Sequence, residues 1–231
     1  MPVVHPRSLP GPEFSVTPPA YIWNPEVDWL TVEGGNACEV NGAGWTTITI
    51  DDRGAARTDG TSGTYIDLGS LGTPGAYTAT VRLITGPVVA NGPWRYIGAL
   101  GSGGGNITAC AALYAQDGEW KVLDGNNSAA TWGRATVTSP TPQPNTRTTI
   151  SYRFTPGVGY RILIDGVVAT ISTTGDVSAT GGSGAAFAIG RNGEWNGHYT
   201  AATYQYWAFD TTARSDADMD AIHDAVRTFY S

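Results

Sequence analysis

The sequence predicts an all-β fold, an antiparallel two-sheet sandwich, and three observations support this prediction. Turn formers are abundant, with 31 Gly and 14 Pro in 231 residues, while charged residues make up only 14%. Short β-forming runs recur about every eight to twelve residues, with turn residues between them. The long Ala, Leu, Glu and Lys runs of a helical bundle are absent. The length suits one large β-domain with a sizeable core.

The predicted strands are alternating or β-branched runs that end at Gly, Pro, Asp or Asn. In chain order they are residues 45–50, 64–68, 76–84, 95–100, 108–115, 119–123, 148–154, 159–164, 167–172, 185–190 and 199–209. Asp51 to Gly54 ends the first of these runs. Asp117 with Gly118, and Pro156 with Gly157, lie between two runs each and predict hairpin turns.

One helix is predicted, and it lies at the carboxyl terminus. Ser215 is a good N-cap residue, and Asp216 and Asp218 follow in the first turn, near the positive end of the helix dipole. Apolar residues recur at spacings of three and four, which indicates one face packed on the sandwich. These residues are Met219, Ile222, Val226 and Phe229.

Residues 1–28 differ from the rest of the chain because seven prolines interrupt them, and each proline removes a backbone donor. We predict an extended Pro-rich arm, followed by one domain over residues 29–231. The arm either lies on its own domain or reaches a neighbouring molecule. Its predicted anchor is a cluster of aromatic and apolar side chains, namely Tyr21, Ile22, Trp23 and Trp29.

The charge pattern argues against two classes of partner. The net charge is −7, the isoelectric point is about 4.8, and Lys121 is the only lysine. Nucleic-acid binding draws much of its affinity from basic side chains on phosphates, so we predict no nucleic-acid partner. No apolar run approaches the roughly 20 residues that span a bilayer, so we predict no membrane insertion.

The amino terminus lacks the apolar core of a signal peptide, so we expect synthesis in the host cytoplasm. Export would then occur inside a larger particle or after cell lysis. The two cysteines, Cys38 and Cys110, form either one disulfide or two buried thiols, and the missing signal peptide favours thiols.

The order of the strands resembles the laminin-G-like, concanavalin A-like jelly-roll family over about residues 60–225. Residues 65–69 with 77–81 resemble its early paired strands, and 148–152 with 160–166 its hairpin ending in an Asp-Gly turn. Residues 187–191 with 197–207 resemble its last two strands, and 211–222 the capped helix that follows. The resemblance implies two sheets with an open concave face, on a fold that hosts lectins, receptors, glycanases and structural modules.

Small Arg-rich, Lys-poor chains with this fold and no signal peptide resemble minor tail proteins of tailed bacteriophages of actinobacteria. The resemblance implies a location in the virion and contacts with other virion proteins. A homo-oligomer is expected as well, because appendage proteins commonly form symmetric assemblies. The Pro-rich arm suits docking on a particle.

Catalytic patterns are missing from the sequence, and we predict no enzyme. Retaining glucanases of this fold carry Glu-x-Asp-x-x-Glu on one strand, and here Glu119, Asp124 and Glu194 are scattered in predicted turns. A serine hydrolase would need a Ser–His pair with an orienting acid. His198 lies in a predicted loop and His223 on the terminal helix, and no nucleophile elbow occurs.

No metal site or cofactor is predicted, although calcium has to be weighed. Carboxylates and amides crowd two predicted turn regions, where oxygen ligands would suit Ca²⁺. One region holds Asp117, Asp124, Asn126 and Asn127, and the other holds Asp51, Asp52 and Asp59. Ordinary turn chemistry, in which Asp and Asn side chains bond their own backbone, also explains both regions. It is the favoured interpretation, because neither region has the dense Asp spacing of a dedicated calcium site.

The most informative candidate site is aromatic. Trp120, Trp132 and Trp195 lie beside Gly, Asn or Asp at predicted turns, where indoles can stack on sugar rings and amides can bind hydroxyls. The preferred patch surrounds Trp195. It comprises Asn192, Glu194, Trp195, Asn196, His198 and Tyr199. The alternative is that these side chains fill the core or a subunit contact.

These observations lead to one expected function and two alternatives. We expect a non-catalytic virion module for particle assembly, host-glycan adhesion, or both. A stand-alone carbohydrate-binding lectin is the first alternative, and a glycoside hydrolase is the second.

Overall fold

The computed structural model of the chain describes residues 11–25, 31–32, 36–37, 39–41, 45–60, 65–70, 75–86, 95–102, 108–125, 132–177, 186–190 and 200–231. Within these ranges the chain forms β-strands, small turns and one α-helix. The helix is too short and too polar to cross a membrane, and the described residues contain no other.

The strands in the described ranges are numbered in chain order. They are β1 (Tyr21–Trp23), β2 (Thr31–Val32), β3 (Asn36–Ala37), β4 (Glu39–Asn41), β5 (Trp45–Ile50), β6 (Arg53–Asp59), β7 (Tyr65–Ser70), β8 (Tyr77–Thr85), β9 (Arg95–Ser102), β10 (Thr108–Gln116), β11 (Glu119–Gly125), β12 (Trp132–Ser139), β13 (Arg147–Thr155), β14 (Gly159–Ile164), β15 (Val167–Val168), β16 (Thr170–Gly175), β17 (Ala186–Ile189) and β18 (Ala201–Asp210). Helix α1 (Asp216–Phe229) follows them.

Two large antiparallel sheets form a sandwich, which confirms the predicted fold class. The first sheet has the order β15-β14-β13-β8-β18-β6-β5, and β1 pairs with the end of β18 that β6 leaves free. The second sheet has the order β16-β12-β11-β10-β9-β17-β7-β4. Strands β2 and β3 form a separate small pair.

Aromatic side chains fill the space between the two sheets. The ring of Tyr77 stacks on Phe154 and on Phe209, with centroid distances of 5.9 Å in both pairs. Trp207 contacts Phe187 with a centroid distance of 5.0 Å. A Cβ atom at Gly98 would lie 2.5 Å from the Trp207 ring, so this indole requires glycine on the facing strand. Much of the high Trp and Tyr content therefore serves the core.

The predicted hairpins are confirmed, and six strands were missed, namely the short β1 to β4 and the longer β6 and β12. Asp117 and Gly118 have φ angles of 54° and 75°, as a two-residue turn between twisted strands requires. Strands β6 and β12 escaped prediction because Arg, Gly and Ala dilute their β-branched residues, while pairing on both sides holds them in the sheets. The single run predicted over 167–172 is divided, since β15 joins the first sheet and β16 the second.

Helix α1 covers the outer face of the first sheet, over β8 and β13. The predicted N-cap is confirmed, because the Ser215 side chain accepts a hydrogen bond of 3.1 Å from the Asp218 backbone N–H. Met219, Ile222 and Val226 are buried as predicted. Phe229 is only half-buried, and the Arg53 guanidinium lies 3.7 Å from the centre of its ring.

A layer of polar side chains lies between this helix and the sheet, and His223 is at its centre. The imidazole Nδ1 lies 2.9 Å from Ser151 Oγ, which lies 2.8 Å from Thr80 Oγ1. The Gly166 backbone N–H donates to His223 Nε2 at 2.8 Å. Because Nε2 is an acceptor, the proton of the neutral ring is on Nδ1, which donates to Ser151. Burial lowers the pKa of His223 to about 4, so the ring is neutral at pH 7.

Arginines fasten the same helix to the sheet. The buried Arg82 guanidinium donates to Thr149 Oγ1 at 2.7 Å and to the Tyr230 carbonyl at 3.0 Å. Burial lowers the pKa of Arg82 to about 10, which leaves it protonated at neutral pH. Nearer the surface, Arg153 and Arg161 form ion pairs with aspartates of the helix. The Arg-rich composition is therefore explained in part by helix docking.

The polar layer predicts a specific loss of stability in acid. The pKa of His223 is about 6.5 unfolded and about 4 folded, so the unfolded chain binds more protons between these values. Stability should be complete above pH 6.5, fall progressively as the pH falls toward 4, and change no further through this group below that. The full effect corresponds to about 3 kcal/mol.

Urea unfolding of the wild type and of His223→Gln between pH 7.5 and 4.5 measures this loss. Gln keeps one donor and one acceptor but does not titrate, so its unfolding free energy should vary less over this range. Asp220, Asp224, Arg227, Arg82 and Asp165 lie around the ring and are common to both proteins. Equal pH dependence of the unfolding free energy in the two proteins would contradict the assignment of this stability loss to His223.

The described part of the amino-terminal arm lies on its own domain. Strand β1 pairs with β18, and Trp23 is fully buried in the core, while Tyr21 and Ile22 are partly buried. Asp210 Oδ1 accepts a hydrogen bond of 2.9 Å from the Ala20 N–H. Arg214 pairs with Asp210 and donates to two backbone carbonyls, those of Thr17 and Pro18. Trp29 and the first ten residues are outside the described ranges.

We predict that Arg214→Gln loosens this attachment. Gln cannot span Asp210 and the two carbonyls at once, so cleavage within residues 11–20 by a protease of broad specificity should become several-fold faster. Arg227→Gln is the matched control, because the Arg227 guanidinium pairs with Asp224 of the same helix and, among the described residues, forms no hydrogen bond or ion pair with the arm. Unchanged cleavage in Arg214→Gln, measured by mass spectrometry of the fragments, would refute the role given to Arg214.

Candidate functional site

The preferred aromatic patch falls in one short segment whose two ends are joined. Asn192, Glu194, Trp195, Asn196, His198 and Tyr199 themselves are outside the described residues. Their flanking residues are described, and the Thr200 N–H donates to the Gly190 carbonyl at 3.0 Å. Gly190 in turn donates to the Ile97 carbonyl of β9 at 2.9 Å. The segment that carries Trp195 therefore begins after β17 of the second sheet and ends before β18 of the first sheet, and its two flanking residues are hydrogen-bonded to each other.

Trp120 was assigned to the candidate carbohydrate site, and the structure corrects this assignment. Its side chain is 1% exposed and belongs to the core between the sheets. Trp120 lies inside β11, where it alternates with the outward Glu119 and Lys121, so its ring has no face free for a sugar. Trp132, predicted at a turn, is instead the first residue of β12 and lies opposite Gly125.

Asp124 is a core residue rather than a loop carboxylate. It is 2% exposed and accepts a hydrogen bond of 2.6 Å from the Tyr77 hydroxyl. Asp117 is at the tip of the β10–β11 hairpin, at the other end of β11, so the two do not form one oxygen cluster. Asp59 is likewise separated from Asp51 and Asp52 by the full length of β6.

The remaining calcium candidates are two asparagines. Asn126 and Asn127 are outside the described ranges. Among the residues that the structure does describe, no three His, Cys, Asp or Glu side chains are grouped as metal ligands. Cys38 is also outside those ranges, so the choice between a disulfide and two thiols stays open.

The structure contains a Ser–His pair that the sequence analysis did not find. The geometry of this pair indicates a structural role and not a catalytic one. Ser151 and His223 are both 0% exposed. A catalytic imidazole needs a free nitrogen lone pair to accept the serine proton, and here Nε2 already accepts from Gly166. His223 lies four residues after Met219 and three before Val226. That helical spacing was the sequence signal for its burial.

Lys121 is the centre of a polar cluster on the outer face of the second sheet. Its ammonium lies 3.3 Å from Gln116 Oε1, 3.3 Å from Glu119 Oε2 and 3.8 Å from Asp117 Oδ2. Lys121 is only 6% exposed, so these oxygens and neighbouring atoms enclose it. An enclosed ammonium with carboxylate and amide neighbours offers hydrogen-bond donors and acceptors in fixed positions.

Strand pairing extends this cluster across three strands. Ala135 and Val137 are buried, so their neighbours in β12 point away from the core. Thr136 lies opposite Lys121 on one side and Ser172 on the other. We name this surface the Lys121 face, and it comprises Gln116, Glu119, Lys121, Arg134, Thr136 and Ser172.

The Lys121 face lies level with Gly190, the last described residue before the stretch that contains Trp195. In the backbone register Lys121 is opposite Tyr114, Tyr114 is opposite Tyr96, and the next residue, Ile97, accepts a hydrogen bond from Gly190. Strands in a sheet are about 4.8 Å apart, so β11 and β17 are separated by about 14 Å. That separation corresponds to the length of two or three sugar rings.

Two concavities elsewhere on the described surface flank the first sheet. One, of about 600 Å³, lies between the arm and α1 and is lined by Glu13, Asp224 and Phe229 among others. The other, of about 280 Å³, lies at the end of β18 near Arg57, Thr85 and Asn145. Neither includes a residue of the Lys121 face, and each combines few polar groups with open walls.

Comparison with known proteins supports the fold alone. No protein-family model matches the sequence, and neither does any curated protein. Among solved structures, the binding domain of Paraclostridial Mosquitocidal Protein 1 is similar with a TM-score of 0.69 at 9% identity, over 90% of this chain and 52% of that one. The binding domain of botulinum neurotoxin serotype G has a TM-score of 0.66 at 8% identity, over 89% and 50%.

The chain thus spans about half the length of these toxin domains. Domain 4 of AbnA, a GH43 extracellular arabinanase from Geobacillus stearothermophilus, matches over nearly its whole length. Its TM-score is 0.57 at 15% identity, over 89% of this chain and 98% of that one, and its structure was solved in complex with arabinotriose. This chain is therefore an antiparallel β-sandwich similar in fold to these two binding domains and to domain 4 of AbnA.

Proposed function

We propose that the protein is a non-catalytic carbohydrate-binding module, and that it binds at the end of the second sheet that carries the Lys121 face. The observation that carries the proposal is that this polar face lies level with Gly190, the last described residue before the stretch of sequence that contains Trp195. Sugars are recognised by hydrogen bonds to their hydroxyls and by stacking on aromatic rings. Similarity in fold to a domain solved with arabinotriose supports the same ligand class.

Each polar group of the Lys121 face has a part in this proposal. Glu119 accepts a hydrogen bond from a sugar hydroxyl, Arg134 donates to ring and hydroxyl oxygens, and the enclosed Lys121 ammonium positions Glu119. Thr136 and Ser172 act as either donor or acceptor. Because Lys121 already holds Glu119 and Gln116 in place, little side-chain entropy is lost when a ligand binds.

The other side chains that could act in catalysis are buried and already hydrogen-bonded, which supports a non-catalytic module. Ser151 and His223 are buried and bonded to each other, and the Asp124 carboxylate is held by Tyr77 inside the core. Glu119 and its neighbour Asp117 both contact the Lys121 ammonium. Two carboxylates paired with one fixed cation suit hydrogen-bond acceptors better than an acid and base pair, which needs one carboxyl group to be protonated.

The place of the module in a virion, as part of a tail or another appendage, is a further element of the proposal. It is supported by the sequence resemblance to minor tail proteins, and the glycan would then belong to the surface of the host cell. Antibodies against the chain should label purified particles in electron micrographs, and particles without label would argue for a stand-alone lectin.

Glycan-array screening followed by calorimetry tests the binding site, with arabinotriose among the ligands. Glu119→Gln and Trp195→Ala should each weaken binding of the best ligand by about tenfold or more. One charge-assisted hydrogen bond or one stacked ring is worth about 1–3 kcal/mol. Glu13→Gln is the matched control for Glu119→Gln, since Glu13 lies near α1 on the far side of the sandwich, and its affinity should equal that of the wild type.

Three outcomes would contradict the proposal. The first is an array without any bound glycan, and the second is binding that survives both Glu119→Gln and Trp195→Ala. The third is release of sugar from a polysaccharide that is abolished by Glu119→Gln or Glu194→Gln, which would make the protein a glycoside hydrolase.

A further inference from the structure

The smaller of the two concavities, of about 280 Å³, lies where β6 and β8 end and β18 begins. Asn145, which precedes β13, forms part of its rim, and the Asn145 N–H donates to the Gly86 carbonyl at 3.4 Å. A Cβ atom at Gly86 would overlap with the Ala201 carbonyl oxygen, so the backbone is closely packed here. We name this concavity the Arg57 pocket, after the one charged residue that lines it.

The Arg57 guanidinium is held in place but has donors to spare. In the sheet, Arg57 lies between Thr46 of β5 and Thr203 of β18. Its Nε donates to Thr203 Oγ1 at 3.3 Å, which fixes the guanidinium plane. Within the described part of the chain the two Nη atoms form no hydrogen bond and no ion pair, so four N–H donors are open to a ligand.

Arg57 differs in this respect from most arginines in the described ranges. Six of them form ion pairs with aspartates, namely Arg82, Arg147, Arg153, Arg161, Arg214 and Arg227. The chain has 20 acidic and 13 basic residues, so a shortage of carboxylates does not explain the unpaired state of Arg57. A guanidinium with a free fork at a cavity suits a carboxylate from outside the chain, which it can bind through two parallel hydrogen bonds.

The other polar groups of the Arg57 pocket are mostly used within the fold. Thr58 Oγ1 accepts a hydrogen bond of 3.1 Å from the Ala202 N–H, and Thr85 Oγ1 accepts one of 2.9 Å from the Thr146 N–H. The exposed side-chain amide of Asn145 makes no hydrogen bond to the described residues. The pocket therefore offers a ligand one cation, and one amide that both donates and accepts.

Charge and size narrow the class of ligand. One guanidinium balances one negative charge, whereas a phosphate monoester carries close to two at neutral pH, which the net charge of −7 disfavours. The volume lies just below the roughly 300–1,000 Å³ of pockets for drug-sized ligands, so a single ring fits better than a longer molecule. Ile84 and the methyl groups of Ala201 and Ala202 form an apolar wall for the C–H groups of such a ring.

We propose that the Arg57 pocket binds an acidic sugar, such as a uronic acid, through its carboxylate. The two Nη atoms of Arg57 donate to the carboxylate oxygens, and the Asn145 amide binds a neighbouring hydroxyl. The carboxylate follows from the pocket itself, while the choice of a sugar over another carboxylate rests on the proposed function. Binding in this pocket uses no residue of the Lys121 face.

Titration of the full chain with sodium glucuronate, followed by NMR, tests the pocket. Glucuronamide is the comparison ligand, because it has the same ring without the charge. The wild type should bind glucuronate at least about tenfold more tightly, and Arg57→Gln should abolish this preference by weakening glucuronate binding alone. Arg227→Gln is the matched control, since Arg227 lies on α1 outside the pocket, and it should bind glucuronate as the wild type does.

A second variant tests the pocket without removing the arginine. Asn145 has a φ angle of 54°, a left-handed conformation that Asp also adopts, so Asn145→Asp should fold normally. The added negative charge at the rim should weaken glucuronate binding several-fold and leave glucuronamide unaffected. Thr174→Asp adds the same charge on β16, outside the pocket, and should change neither affinity. Melting temperatures confirm that each variant is folded.

The proposal is overturned if glucuronate does not bind at about 10 mM, if glucuronamide binds equally well, or if Arg57→Gln binds glucuronate unchanged. Tighter binding of the dipeptide Ala-Ala would make the ligand a peptide carboxylate and refute the sugar acid.

The best neutral glycan of the array separates this inference from the proposed function. Glu119→Gln should weaken that glycan and spare glucuronate, whereas Arg57→Gln should do the reverse. A neutral glycan bound by a protein that ignores glucuronate refutes the Arg57 pocket alone. Glucuronate bound by a protein that ignores every neutral glycan refutes the Lys121 face alone.

Discussion

The buried guanidinium of Arg82 imposes a constraint on everything that covers the first sheet. A charge removed from water costs several kcal/mol unless nearly all its donors are bonded. Arg82 bonds both terminal nitrogens, one to Thr149 on the neighbouring strand and one to the carbonyl of Tyr230 beyond the end of α1, while its buried Nε has no hydrogen-bond partner. The helix must therefore end where Tyr230 reaches the sheet. Arg147 donates to the same carbonyl at 3.2 Å and reinforces that position.

The remaining contacts of the helix follow from this placement. Once Tyr230 is set, the buried turn of α1 brings His223 over Ser151, and the first turn brings Asp216 and Asp220 over the arginines of β13 and β14. The amino-terminal arm is bound next to the helix, because Arg214 and Asp210 form hydrogen bonds with its backbone. The side chains on the outer face of the first sheet therefore stabilise the fold by binding the helix and the arm. The outer face of the second sheet carries the polar cluster around Lys121.

Local patterns in the sequence predicted the elements that depend on local physics. The Asp117–Gly118 turn, the Ser215 cap and the apolar spacing of α1 all follow from backbone preferences within a few residues. Strands β6 and β12 could not be predicted in this way, because their stability comes from partners distant in the chain.

The same reason explains the outcome for the candidate site. Trp120 was assigned to a turn from its Gly and Asp neighbours, yet alternation along β11 turns it into the core. Lys121 follows it and points outward, so one strand supplies both a core ring and the centre of the polar face. Which outward residues become neighbours depends on the order of strands in the sheet, and no single segment encodes that order.

The separation of the two sheet faces has an evolutionary consequence. Arg82, His223 and the ion pairs of α1 are all on the first sheet, whereas Glu119 and Lys121 are on the second. Substitutions in the polar cluster of the second sheet leave the contacts of the helix untouched. The cluster can therefore vary in evolution while the residues under the helix stay under purifying selection.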